Sequence, residues 1–268
     1  MPEPVNLSFA FNLKPAEVLA YLRKKGYLLP DAWLALAAED RARAFTVANV
    51  AKADVLLDIR NELLRTIESG TGYEGFLKAL MPRLKAKGWW GIEETIDEET
   101  GEVTSKTLGS PWRLETIYRT NVQTARMAGR FKQMLANASN RPFWQYNGIL
   151  DQHTRPYHAA LQGKVFRYDD PIWDVIYPPN GFNCRCFVFA MNQRDLDRLG
   201  LKVTSSAGLL NIETVETANG EQTVATVRVA QAVGRDKMFR TDPGFANNPG
   251  KVFWPDDELP AKEAELGV

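Results

Sequence analysis

Both histidines and both cysteines of this 268-residue chain fall between positions 153 and 186. His153 and His158 sit in LDQHTRPYHAALQG, and Cys184 and Cys186 close YPPNGFNCRC. Thiolate and imidazole are the preferred ligands of Zn²⁺, and a tetrahedral site needs four such groups converging on one point. His158, Cys184 and Cys186 offer three of them, and His153 or Asp151 could supply the fourth. The C-x-C spacing is shorter than the usual zinc spacing, so a chelate requires the chain to bend at Arg185. A Cys184–Cys186 disulfide would close a small, strained ring, and the thiols are expected to be reduced.

The same residues allow two other readings. In one, Cys184 is a nucleophile, His158 its base and Asp151 the group that orients the base, as in a thiol- or metal-dependent hydrolase or transferase. In the other, the cysteines are small buried hydrophobes on one face of a strand, with His158 hydrogen-bonded to nearby backbone. Arg155 and Arg185 either pair with Asp151 or Asp174, clipping a loop onto a helix, or face a phosphate. No Gly-rich phosphate loop, kinase set, nucleophile elbow or metalloprotease helix is present.

These residues have to be positioned by a mixed scaffold. From Lys14 to about Gly88 the pattern is helical: Leu56, Ile59, Leu63 and Ile67 recur at spacings of three and four, and SGTG supplies the glycines that end a helix. A shorter helix is expected from Tyr73 to about Lys85, then an exposed hairpin near 93–107 turning at Thr100-Gly101. The longest helix is expected over Trp112 to Asn137, with an apolar side and a basic stripe of Arg119, Arg126 and Arg130. FWQYNGIL and KVFRY read as strands, and Thr154 to Gly163 as a short helix with Thr154 as its cap. NCRCFVFAM reads as a buried strand, and IETVETANGEQTVATVRV as a hairpin about Asn219-Gly220. The expected class is α+β: a helical region over 1–111, a long helix plus compact α+β core with small antiparallel sheets over 112–240, and an extended tail over 241–268.

With 33 basic and 33 acidic residues the chain is formally neutral, and 44% hydrophobic residues suffice for a core. Neutrality argues against whole-molecule attraction to DNA or membrane, leaving the stripe as the one local candidate for phosphates or an acidic protein surface. The start MPEPVNLSFAF has an acid where a signal peptide needs a basic region, and no apolar run approaches the ~20 residues of a membrane span. Cytoplasmic synthesis is the expectation.

Three stretches, LDQHTRPYHAALQGKVF, PIWDVIYPPNGFNCRC and DPGFANNPG, together resemble the phage Mu F-like minor head protein, or head morphogenesis, family. Upstream, FTVANVAKADVLLDIRNEL, KGWWG and IYRTNVQTARMAGR are similar to it in the same order, so the resemblance runs from about Phe45 to Gly250. It implies a T-R-x-x-H form at Thr154, Arg155 and His158, preceded by the acid Asp151 and followed by Gly163. Its closing motif falls on Pro178, Pro179, Asn183, Cys184, Arg185 and Cys186. In the family's cysteine-rich version these positions would hold a full zinc set; here Arg155, His158 and Gly181 stand at three of them. The resemblance therefore implies a clasp of Asp151, Arg155, His158, Asn183, Cys184, Arg185 and Cys186 that pins the Asp169–Asn183 loop to the helix beneath it. A zinc ion held by His158, Cys184, Cys186 and His153 is the one cofactor it suggests.

What it implies functionally is a non-enzymatic structural protein of a tailed-phage head, made in the host cytoplasm and placed in the capsid interior or at the portal vertex. Portal and other head proteins, and packaged DNA, are the implied partners, without membrane. Arg119, Arg126, Arg130 and an exposed Trp173 are the candidate portal or DNA contacts.

Overall fold

The computed structural model describes residues 15–27, 44, 45, 47, 50, 52–98, 100–217, 220–230 and 236–253. The described residues divide into two compact units, one on each side of the 122/123 boundary. One long helix, residues 111–136, crosses the boundary between them.

In the first unit, α1 (Pro15–Lys24) leads into β1 (Gly26–Tyr27), which pairs in parallel with β2 (Ala44–Phe45). Next come α2 (Ala53–Ser69) and α3 (Gly72–Ala86). The apolar positions expected on α2 do form the core: Leu56, Ile59 and Leu63 are buried, and they share a cluster with Phe76, Leu80 and Leu84 of α3. Helix α2 stops because Gly70 adopts a left-handed φ of 69°, a conformation that costs glycine little. Strands β3 (Ile92–Ile96) and β4 (Val103–Thr107) pair antiparallel around a turn in which Asp97 accepts from the Thr100 amide at 2.8 Å.

Helix α4 (Pro111–Ala136) is continuous, yet its apolar side serves two cores. Leu114 and Val122 pack into the first, and Met127, Phe131 and Met134 into the second. The division therefore falls at 122/123, inside the helix, whereas the sequence reading placed a boundary at its start.

The second unit carries the clasp residues. Its four-stranded sheet has the order β7-β5-β6-β8, formed by β5 (Phe143–Asn147), β6 (Val165–Arg167), β7 (Phe187–Met191) and β8 (Val203–Thr204). Strand β5 pairs antiparallel with both β6 and β7, and β6 pairs in parallel with β8. Helix α5 (Pro156–Ala159) lies between β5 and β6, and α6 (Gln193–Leu199) between β7 and β8. A second sheet, β9 (Leu210–Thr217), β10 (Gly220–Val229) and β11 (Lys237–Arg240), is antiparallel throughout. The expected turn residue Asn219 lies outside the described residues. The α+β class expected from the sequence is the one observed, with a helical first half and a sheet-rich second.

Three expectations need correction. Trp173 is not an exposed contact: it is buried, sits 5.8 Å from Trp144 ring to ring, and donates its indole N–H to Arg167 O at 2.8 Å. Thr154 does not cap α5; Arg155 holds that position and Thr154 Oγ1 donates instead to Ile149 O. The chain after 241 is not an extended tail as far as 253. Asn248 is buried and donates to Trp173 O at 2.9 Å, and the Gly250 backbone lies so close to Phe131 that a Cβ there would overlap the ring. Residues 249–253 form α7 (Pro249–Phe253), and 254–268 lie outside the described residues. Among the described residues no helix is long and apolar enough to cross a membrane.

Because Trp173 fills the centre of an aromatic cluster with Trp144, Phe166 and Tyr177, Trp173→Ala is expected to lower the unfolding free energy by about 3–5 kcal/mol. Urea denaturation of the full chain measures it, and a loss under about 1 kcal/mol, the size of a surface change, would contradict this burial.

Candidate functional site

The site is assembled from three loops of the second unit. The first, 148–155, leaves β5 and feeds α5. Its turn is held by Asp151, which accepts from the His153 amide at 2.9 Å and from Thr154 Oγ1 at 3.3 Å. Pro156 then opens α5, where a missing N–H costs nothing, and one turn presents His158 inward, buried.

The second loop carries the Pro-rich motif. It enters through a 3₁₀ turn, Pro171–Asp174, capped by Asp170, which accepts from the Ile172 amide at 3.0 Å. Residues 176–181 are buried in one run, and the Pro178–Pro179 peptide is cis. Asn183 has a left-handed φ of 57°, which Asn tolerates better than most residues. The reversal it makes brings the Cys184 amide to Gly181 O at 3.2 Å. Cys184 and Cys186 therefore precede β7 rather than lie on it, and the chain turns at 181–183, before the C-x-C pair, rather than at Arg185.

The third loop was not assigned to the clasp from the sequence. Asp242, the first residue of DPGFANNPG, accepts from Arg155 at 2.9 Å and from the Tyr157 hydroxyl at 3.1 Å, and its amide donates to Asn180 O at 2.9 Å. Gly181 is required here, because a Cβ would overlap the Asp242 carboxylate. Arg155 also donates to Phe182 O at 3.0 Å. The motif itself was the available signal for Asp242.

Two layers result. Outside is a ring of ion pairs: Arg185 meets Asp151 through both carboxylate oxygens at 2.8 and 2.5 Å, and Arg155 meets Asp242. Asp174, the other acid considered for these arginines, pairs with Lys251 at 2.8 Å. Inside, His158 Nδ1 lies 3.7 Å from Cys184 Sγ and 4.0 Å from Cys186 Sγ, and the three atoms fall within 4.8 Å of one another. The hydrogen bond from the Cys186 thiol holds the Cys184 thiol well below its ordinary range, against the opposing effect of burial; the same coupling and burial push Cys186 up. Phe239 stacks on the His158 ring at 5.7 Å, and Tyr146, its hydroxyl pushed up by burial, accepts from Asn180 at 3.1 Å.

This donor set fits a zinc ion in part. Bonds of about 2.3 Å to sulfur and 2.0–2.1 Å to nitrogen give tetrahedral edges of about 3.5–3.8 Å, close to the observed 3.7 and 4.0 Å. The fourth ligand expected from the sequence does not fall within the cluster: His153 is exposed, although it lines the same small pocket as His158, Cys184 and Cys186. Asp151 is likewise held by Arg185 and does not orient His158, so the nucleophile–base–orienter arrangement is not formed. His158 Nε2 is buried without a hydrogen-bond partner among the described residues.

The other sequence candidates lie on α4. Arg119 is exposed and pairs with Glu115 at 2.6 Å, Arg126 is exposed, and Arg130 packs over the Phe189 ring at 5.3 Å. Burial on that ring pulls Arg130 below its ordinary range, an environment that does not suit a phosphate contact.

The Asp151 carboxyl is held far below the usual carboxylate range, first by the Arg185 hydrogen bonds. A depressed acid contributes stability above its unfolded value of about 4 and loses it as pH falls. The stability difference between the native chain and Asp151→Asn is therefore expected to be full at pH 6 and to shrink steadily below about pH 4, read by denaturation at a series of pH values. A difference independent of pH would remove the ion pair from the account.

Comparison with known proteins places this geometry in context. The family model described as Phage Mu protein F like protein matches residues 57–189, from α2 to β7. The candidate capsid assembly protein F of Escherichia phage Mu is 42% identical over 271 aligned residues, covering 99% of this chain and 61% of that protein. The Mu-like prophage FluMu F protein of Haemophilus influenzae is 44% identical over 190 residues, covering 69% of this chain and 45% of that one. The chain thus spans about three fifths of the Mu relative and under half of the Haemophilus one. No solved structure matches it. On the family match and the near full-length identity with the Mu relative, the chain belongs to the phage Mu protein F-like family.

Proposed function

We propose that this protein is a structural component of phage head assembly and acts by binding other head proteins rather than by turnover. The observation that carries the reading is the 42% identity, over 99% of this chain, to a relative named for capsid assembly. The geometry supports it: the clasp's charges are spent on one another and its thiols are buried beneath them. Such a cluster fixes a shape. Placement in the virion, near the portal, is the finer part of the proposal, and the exposed Arg119 and Arg126 of α4 are the side chains offered to an acidic surface of a head protein. A phage deleted for this gene is expected to fail to form infectious, DNA-filled heads, scored by electron microscopy and plaque count. Normal heads from that deletion would sink the reading.

The inner cluster is proposed to hold one zinc ion through Cys184, Cys186 and His158, supported by the match between donor separations and tetrahedral edges. Zinc there would cross-link α5 to the Pro-rich loop without taking part in a reaction. Elemental analysis of the purified chain is expected to give about one zinc per chain, lost in Cys184→Ser and in His158→Ala. A chain that contains no zinc, takes none up when reduced, and keeps its melting temperature in chelator would show the clasp to be metal-free.

A further inference from the structure

The β3–β4 hairpin is left uncovered. All ten of its strand residues are exposed. Its register places Ile92, Ile96 and Val103 on one face, where they are 69%, 63% and 58% exposed. A two-stranded sheet with no packing on either face is marginal in water, and three β-branched apolar side chains there ask for a cover. By the same register Glu94 shares that face while Glu93 lies on the other, opposite Lys106, and the turn adds Asp97, Glu98 and Glu102. None of the four glutamates has an ion-pair partner among the described residues, although Glu93 stands across the ladder from Lys106.

The complement of this face is carried by α4. At 3.6 residues per turn, Trp112, Thr116, Arg119 and Arg126 lie within a sector of about 80°. Trp112 is 71% exposed, Arg119 and Arg126 are exposed, and Arg126 has no ion pair among the described residues. From Trp112 to Arg126 this stripe is about 21 Å long, and a five-residue strand is about 16 Å, so one can lie along the other. Two hairpins cannot serve each other, because apposing their faces would oppose their carboxylates, and a nucleic acid is repelled for the same reason.

We infer that the occupant is a second copy of this chain: the Ile92/Ile96/Val103 face of one copy docks on the Trp112–Arg119–Arg126 stripe of another. Trp112 would cover the apolar face while the arginines meet the glutamate rim. The contact joins two different surfaces, so it closes into a ring or a reciprocal pair, or extends, according to the rotation between copies. It does not depend on the role in head assembly.

Sedimentation velocity of the purified full chain at low and high salt, over a wide concentration range, is the test. Mass is expected to rise with concentration at low salt, with association about tenfold or more weaker at high salt as exposed pairs are screened. Glu94→Lys with Glu98→Lys, and separately Arg119→Glu with Arg126→Glu, should each weaken association, and an equimolar mixture of the two variants should recover it. All four positions are exposed, so melting temperatures should hold; if a charge reversal fails to fold, Ile96→Thr with Val103→Thr, which keeps β-branching, must weaken association instead. A chain that is monomeric under every condition, as it would be if the hairpin served a different protein, overturns the inference. So does association that ignores salt, or a mixture that does not recover it.

Discussion

A loop that runs through a core must have its backbone groups satisfied from elsewhere, and the segment from Asp170 to Cys186 is such a loop. It supplies Ile172, Trp173, Ile176, Tyr177, Cys184 and Cys186 to the central cluster of the second unit. Connecting segments usually stay at the surface, because a buried N–H or C=O without a partner costs a large part of a hydrogen bond. Here the partners come from distant positions: Gln123 donates to Cys186 O, Arg155 to Phe182 O, Asn248 to Trp173 O, and the Asp242 amide to Asn180 O. Asp170 caps the turn and also accepts from the Ser206 amide at 3.0 Å. The 241–253 segment is therefore built into the core, since without Asp242 and Asn248 two loop carbonyls would be buried unpaired.

The clasp lies at the exit of that loop and divides its work by burial. Its ion pairs stay near the surface, where each contributes little alone but fixes which loop lies against which helix. The thiols and His158 lie beneath, where a polar group must find a partner or bind a metal. The zinc ion proposed for this cluster would meet that requirement through Cys184, Cys186 and His158. Without zinc the two thiols lie against each other and His158, with Cys184 the more acidic of the pair. In either state the cluster holds α5 to the loop.

Helix α4 has a different problem, since its two ends belong to different cores. Its polar side is divided as well. Gln123 and Arg130 turn toward the second unit, onto Cys186 O and Phe189, while Trp112, Arg119 and Arg126 are left to solvent. The basic stripe seen in the sequence is therefore one side chain shorter in practice. What remains is amphipathic, an aromatic followed by arginines, and suits a partner with an apolar centre and an acidic rim.

Periodicity and turn chemistry are local, and they were legible without coordinates. The spacing of Leu56, Ile59 and Leu63, the extent of α4, both hairpins and the gathering of His158, Cys184 and Cys186 all follow from residues a few positions apart or from composition. Three things did not follow. Trp173 reads the same in sequence whether it faces solvent or a core, because burial depends on what packs over it, here Trp144, Phe166 and Tyr177. His153 has the right chemistry for a ligand, but its side chain is exposed and does not fall within the cluster of the other three. Arg155 had several acids within reach of argument and chose Asp242, 87 residues away. A charge's partner is decided by distance through space, which falls off too steeply for sequence order to stand in for it; only the fold, by laying the 241–253 segment over Gly181, brought that carboxylate within 2.9 Å.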